Sequence, residues 1–404
     1  QMCIRDRSIH RIDEGMVRRN VLRLASIGQD ETGAINRVFG SDFVNEERKE
    51  VISYFEECGM MTSVDSVGNV HGYYRPAGTM ADEILLGSHL DSVKAGGMFD
   101  GTAGLVAAAE CVRMLSETRY PSLFNLHVVA TNGEEGNELG GTFGSRAMMG
   151  LLPLDDRDFL IKAEKYGYSG DRLRGAVMDT SKCRGWLELH IEQGNRLNRQ
   201  HRDVGIVTGI VGLQRYHIKV TGKSNHAGTT MMEERQDALV EASRIIGLAD
   251  QLIREYGHHM VATIGEIHVF PNVPTVIPGK VDMVLEVRGL DRDLIERYVV
   301  DLSARIQPSG RVHVSNMVKK DPVVCDERFM KAMEKACGED HISFAPMSSG
   351  ATHDGNSMAK KMPIAMIFVP SRDGLSHCKE EWTDWDQLTT GVQVLYDTLR
   401  SLIR

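Results

Sequence analysis

Five stretches of the chain gather side chains that can bind metal or move protons. The segment 87–101, Gly-Ser-His-Leu-Asp-Ser-Val-Lys-Ala-Gly-Gly-Met-Phe-Asp-Gly, offers His89, Asp91 and Asp100. His89 and Asp91 stand two apart, on one side of an extended segment, and Asp100 follows a glycine pair that lets the chain turn tightly. Imidazole and carboxylate together suit zinc, manganese or cobalt. The plain alternative is a polar loop in which Asp100 caps a helix. The segment 131–136, Thr-Asn-Gly-Glu-Glu-Gly, sets Glu134 beside Glu135. Adjacent carboxylates repel unless positive charge lies nearby. With a metal ion there, one can be a ligand while the other takes a proton from the water the metal activates. Without one, the pair is an exposed acidic turn. His190 lies in the run Glu-Leu-His-Ile-Glu-Gln-Gly at 188–194, and His377 ends the run Ser-Arg-Asp-Gly-Leu-Ser-His at 371–377. Either histidine alone is more often structural than a ligand.

The four stretches lie on or just past apolar, strand-like segments, where ligand sites of α/β folds gather. Together they supply His89, Asp100, Glu135, His190 and His377. Three imidazoles and two carboxylates match two divalent cations sharing one carboxylate, about 3.5–4 Å apart. Glu134 is left over to shuttle a proton.

The fifth stretch, Gly-Lys-Ser-Asn-His-Ala-Gly-Thr-Thr at 222–230, carries His226. On a separate domain this imidazole would not reach the same cations, but it can close over a substrate and stabilise an oxyanion; the alternative is a hydrogen-bonded turn histidine. Arg288 can clamp a substrate carboxylate through both its nitrogens or sit in a surface ion pair. Other features read as structural. Met148 with Met149 and Met231 with Met232 suit a core or pocket filling, and His258 with His259 suits the end of a helix. The pair Gly140 and Gly141 lacks the Lys-Ser/Thr of a phosphate loop, and no G-x-S-x-G elbow occurs.

The elements that must position these groups follow from periodicity. Segments 14–27 and 45–57 read as amphipathic helices, 69–74 and 84–86 as strands, and 101–115 as a buried helix. Segment 123–130 is apolar on both faces, as in a covered sheet, and 186–191 is a further strand. Strands at 216–220, 261–269, 281–287 and 312–318, with helices at 237–256 and 291–306, give β-α-β-β-α-β, the split two-layer sandwich. Helix 326–338, strand 364–369 and helix 386–402 then return to the α/β style. The expected fold is α/β: a large catalytic domain, a mixed sheet covered by helices, in two parts (8–208 and 320–404). A ferredoxin-like α+β domain (209–319) is inserted between them.

Composition narrows the class. At 404 residues the chain exceeds one small core. With 42% hydrophobic and 25% charged residues it is neither disordered nor a coiled coil. Its net charge of −9 argues against nucleic acid as partner. No apolar run approaches the ~20 residues that span a bilayer. Seven scattered cysteines without a C-x-x-C point to free thiols. The expectation is a cytoplasmic protein. Residues 1–7 fit no helix or strand pattern and are expected to be foreign to the native chain.

The motifs at 87–101, 134–136, 188–194, 226–230 and 376–377 resemble the hydantoinase/carbamoylase family of amidases. That family includes N-carbamoyl-L-amino acid hydrolases and allantoate amidohydrolase, within the aminoacylase/carboxypeptidase-like dinuclear metallohydrolases. The resemblance spans about residues 15–400. It implies that His89, Asp100 and His190 hold one metal ion, and that Asp100, Glu135 and His377 hold the other. Glu134 would be the general base, and the Asp91 carboxylate would orient His89. Gln193, Gln214, Arg288 and the loop with Gly350 and Ala351 would meet substrate. The resemblance further implies that His226 acts from the lid and that the inserted domain forms a homodimer whose partner subunit can donate this histidine. Thr275 stands where the family usually has Asn on the substrate carboxylate, and Met231 and Asn195 stand where Pro is common. These departures bear on substrate identity and leave the metal ligands untouched.

The expected activity is hydrolysis of a linear C–N amide, most simply the ureido group of an N-carbamoyl amino acid or of a ureido acid such as allantoate. Zn, Mn or Co would serve as cofactor. The alternatives are an aminoacylase or dipeptidase of the same superfamily, separable by a substrate panel, and a non-catalytic small-molecule binder, separable by metal analysis.

Overall fold

The computed structural model describes residues 11–257, 260–306 and 310–404. Residues 1–7 and the pair His258 and His259 lie outside the described residues. The chain forms two compact units, one running to Thr208 and resuming over Cys325–Arg404, the other Gly209–Val324.

The first unit is built on a mixed sheet. Its early strands are β1 (Met61–Val64), β2 (Val70–Tyr74), β3 (Glu83–His89), β4 (Asn125–Thr131), β5 (Cys183–Ile191) and β6 (Val204–Ile210). The second unit contributes β7 (Gly212–Thr221), β8 (Met260–Phe270), β9 (Lys280–Gly289), β10 (Val312–Lys320) and the short β11 (Val323–Val324). The first unit then resumes with β12 (Phe344–Ser349) and β13 (Ile364–Val369). The large sheet runs in the order β1-β2-β4-β3-β5-β13-β6, with β12 also on β6. Strands β3 and β4, β3 and β5, and β5 and β13 are parallel, so their carboxyl ends share one edge. That edge of an open α/β sheet is where ligands bind.

Parallel strands are covered on both faces, and β4 and β13 are buried along their whole length. The helix Thr102–Glu117 is nearly all buried, with Leu105, Val106, Ala109 and Val112 in the core. Each Leu or Val so buried contributes roughly 1.5–3 kcal/mol. Two glycines let this helix come close. A Cβ on Gly104 would meet the Leu189 carbonyl at 2.5 Å, and one on Gly101, whose φ is +69°, would meet the His89 carbonyl at 2.5 Å and its ring at 2.7 Å. Only glycine combines that backbone with that approach.

Helices Phe143–Met148, Arg157–Lys165 and Gly170–Gly175 form a satellite core with Phe39, Phe143 and Leu173. No periodicity announces them, because each spans too few turns. Met148 and Met149 are buried as expected, whereas Met231 and Met232 are 61% and 74% exposed and fill no core. The second unit has an antiparallel sheet ordered β10-β7-β9-β8, with helices Ala238–Glu255 and Arg292–Ile306 packed on it. This is the β-α-β-β-α-β sandwich. Asp237 accepts from the Leu239 and Val240 amides at its helix start, and Asp291 from the Asp293 and Leu294 amides at the other. Among the described residues no helix is long and apolar enough to cross a membrane, and Cys58, Cys111, Cys183, Cys325, Cys337 and Cys378 are free.

Candidate metal centre

Five expected ligands meet at the carboxyl edge of the large sheet. His89 ends β3, His190 sits near the end of β5, Glu135 follows β4 and His377 follows β13. Asp100 stands just before the helix that begins at Thr102. Asp100 Oδ1 lies 3.3 Å from His89 Nε2 and 3.1 Å from His190 Nε2. Asp100 Oδ2 lies 3.2 Å from His377 Nε2, which is 3.5 Å from Glu135 Oε1. Candidate ligand atoms of His89, Asp100 and His190 fall within 4.8 Å of one another, as do those of Asp100, Glu135 and His377. Asp100 thus turns one oxygen to each group.

The donor chemistry fits cations. His89 Nδ1 is 2.8 Å from the Asp91 main-chain carbonyl, and His190 Nδ1 is 3.0 Å from that of Ile191. A carbonyl only accepts, so each Nδ1 carries a proton and each ring turns its Nε2 toward Asp100. Asp100 Oδ1 is buried and receives no hydrogen bond. Lone pairs converging on a buried carboxylate need positive charge between them. Without a cation the charge must come from protons. Burial works against charge on Asp100, yet His190, His377 and His89 outweigh it and hold its carboxyl well below the usual range. The carboxylate beside it pushes the His377 imidazole up to about 8.

Glu134 and Glu135 are the turn after β4. Burial pushes the Glu134 carboxyl well above its usual range, and burial with Asp100 pushes Glu135 up to about 7. Candidate ligand atoms of Glu134, Glu135 and His89 also lie within 4.8 Å of one another, so Glu134 has the reach to exchange a proton with a water at this centre. The Asp91 carboxylate is not on the His89 ring: Oδ1 stands 4.0 Å from Nδ1. It accepts from the Gly133 and Glu134 amides at 2.9 Å and from the Glu135 amide at 3.0 Å. The main chain of Asp91, not its side chain, orients His89.

The expected substrate residues are distributed over both units. Gln193 is half-buried, its Nε2 3.0 Å from Asp100 Oδ2 and 3.3 Å from His377 Nε2. Gly350 is exposed, and the Ala351 amide donates to Ser349 Oγ at 3.2 Å. That loop continues to His353, whose ring centroid is 4.5 Å from that of His190. The other four residues belong to the second unit. His226 is exposed, and its Nδ1 accepts from the Gly228 amide at 3.0 Å, so its neutral ring carries the proton on Nε2. Gln214 is buried and accepts from the Tyr216 hydroxyl. Thr275 is exposed, its carbonyl accepting from the Ala227 amide at 2.9 Å, and Arg288 Nε donates to Glu286 at 2.8 Å.

Sequence reasoning missed several supports. Glu188, His190 and His353 form a further potential ligand group, but Glu188 already accepts from Ser88 Oγ at 3.0 Å and Trp186 Nε1 at 3.1 Å. Arg37 and Glu47 are an entirely buried ion pair at 2.7 Å. Arg37 also donates to the Leu90 carbonyl at 3.1 Å and Thr102 Oγ1 at 2.8 Å, tying the His89 loop to the helix start. A lone arginine in a polar stretch gives no such signal.

Comparison with known proteins matches this architecture. The model of peptidase family M20/M25/M40 matches residues 85–401. The chain is 36% identical to an N-carbamoyl-L-amino acid amidohydrolase of Geobacillus stearothermophilus, covering 95% of this chain and 97% of that one. It is 35% identical to an allantoate amidohydrolase of Bacillus subtilis (strain 168), covering 94% and 95%. Among solved structures, a hydantoinase/carbamoylase family amidase from Burkholderia multivorans superposes with a TM-score of 0.87 at 28% identity, covering 98% of both chains.

Proposed function

The chain belongs to peptidase family M20/M25/M40 and to its hydantoinase/carbamoylase amidases, and we propose that it is a metal-dependent amidohydrolase of N-carbamoyl amino acids or related ureido acids such as allantoate. The observation that carries this reading is the pair of ligand groups sharing Asp100. His89, His190 and Asp100 would hold one divalent cation, and Asp100, Glu135 and His377 a second, with Zn, Mn or Co as the metal. When bound, such ions acidify a water and polarise the scissile carbonyl.

The protein supplies the rest. Glu134, whose burial strengthens its hold on a proton, would as the carboxylate take a proton from the attacking water and return it to the leaving nitrogen. His226, with its proton on Nε2, is the donor for the developing oxyanion. Gln193, Gln214, Thr275, Arg288, Gly350 and Ala351 are the substrate-binding set. Hydrolysis consumes one water and yields the amine and carbamate, which breaks down to carbon dioxide and ammonia. We assign the chain to the cytoplasm, where free cysteines persist. We also assign two domains, 8–208 with 320–404 and 209–319, and a homodimer formed through the second.

The test is a side-by-side panel of N-carbamoyl, N-acetyl and dipeptide substrates with mass-spectrometric product detection, before and after chelator. Metal-dependent ammonia release from N-carbamoyl substrates or allantoate is expected. Turnover of N-acetyl amino acids or dipeptides alone would make the chain an aminoacylase or dipeptidase. No turnover and no bound metal would make it a binder.

A further inference from the structure

Glu381 lies four residues past His377 and belongs to neither ligand group, yet its side chain is wedged between the two loops that carry Asp100 and His377. It is 1% exposed. One oxygen, Oε1, accepts from the Phe99 amide at 2.9 Å and from the Asp100 amide at 3.0 Å. The other, Oε2, accepts from Ser376 Oγ at 2.7 Å. Phe99 and Ser376 are the immediate chain neighbours of Asp100 and His377, so one carboxylate spans segments about 280 residues apart. The loop leaves room for it, since a Cβ on Gly97 would run into the Cβ, Cδ and Oε1 of Glu381.

We infer that Glu381 is a positioning residue, whose carboxylate fixes the Asp100 loop against the His377 loop so that the two ligands reach one cation; this rests on the amidohydrolase reading above. Its three hydrogen bonds, at 2.9, 3.0 and 2.7 Å, converge on one side chain from both loops. They satisfy a buried carboxylate with main-chain and hydroxyl donors alone. What they bear on is the separation of Asp100 Oδ2 from His377 Nε2, 3.2 Å, which Gln193 Nε2 also bridges. Partners outside the ligand shell commonly change metal affinity by about 10–100-fold when removed.

Cobalt(II) titration of the chelator-stripped full chain, followed by visible absorption, reads this out alongside ammonia release and thermal melting. Glu381→Ala is expected to weaken cobalt binding about 10–100-fold per folded molecule. Glu381→Gln is expected to restore most of it, because its carbonyl still accepts both amides and its NH2 can donate to a rotated Ser376 hydroxyl. If Glu381→Ala does not fold, Ser376→Ala and Gly97→Ala carry the test, and both are expected to weaken binding. Parent-like affinity in the Ala variants overturns the inference, as does a Gln variant no better than Ala. A melting temperature that falls while affinity per folded molecule stays put marks a merely structural role and also overturns it. A parent that neither binds cobalt nor releases ammonia overturns both this and the amidohydrolase reading, whereas an active parent with unaffected variants overturns this alone.

Discussion

Asp91 grips the main chain of Glu134. The same Oδ1 accepts from the amides of Gly133 and Glu134 at 2.9 Å, and Oδ2 takes the Glu135 amide at 3.0 Å. The carbonyl of Asp91 meanwhile stands 2.8 Å from His89 Nδ1. One residue therefore ties the turn carrying the proposed base and a proposed ligand to another ligand. Asp91→Ala would orphan three donors, at about 1–3 kcal/mol each where they stay buried. Asp91→Asn would set an amide NH2 against one of those N–H groups. Both variants are expected to lower metal affinity and turnover, Ala more than Asn, by calorimetric metal titration and ammonia release. Unchanged values in Asp91→Ala would contradict this.

Glu134→Gln keeps shape and removes the proton acceptor. Metal content by elemental analysis is expected to match the parent while kcat falls by about 10²–10⁴-fold. Parent-like turnover would take Glu134 out of the reaction.

A second buried cluster governs acid stability. His71 Nδ1 and His127 Nε2 are 2.9 Å apart, Glu83 lies 3.5 Å from His127 Nδ1, and Asp65 lies 3.5 Å from His71 Nε2. Burial, helped by His71 and Arg75 and opposed by Glu83, holds the His127 pKa below its ordinary 6.5. The unfolded chain then binds the proton more readily, so this contribution is present above 6.5 and lost as pH falls toward the folded value. Urea unfolding from about pH 7.5 to about pH 5 is expected to show a slope that His127→Gln flattens by up to about 1.4 kcal/mol per pH unit. Equal slopes would refute it.

Thiol reactivity follows burial. Burial pushes the thiols of Cys58, Cys183, Cys325 and Cys337 up to about 12, and Cys111 well above its usual range. Cys378 is half-exposed. Peptide mapping after brief iodoacetamide treatment is expected to find Cys378 modified and these five protected until urea is added. Comparable labelling of Cys58 in the native protein would contradict the burial.

The ligand groups were legible because histidine and carboxylate recur where apolar runs end, and parallel strands put those ends on one edge. Strand 364–369 was read to the residue, since a wholly apolar run between polar turns has sharp limits. Strand β3 was read three residues short at His89, because Gly-Ser-His lacks strand character and is held there by pairing with β4. Strand β6 and the helices over 143–175 went unread, being too short or too mixed for a period. The Asp91 grip on three amides could not be read at all: a carboxylate's choice between a ring and a turn is settled by tertiary approach, not by spacing.

The central claim is that His89, Asp100, Glu135, His190 and His377 surround divalent cations. Anomalous X-ray scattering from crystals grown with zinc or cobalt tests it most directly. Two peaks about 3.5–4 Å apart are expected on either side of Asp100, one against His89 and His190 and the other against Glu135 and His377. No peak at saturating metal, or peaks held by other residues, would contradict the account.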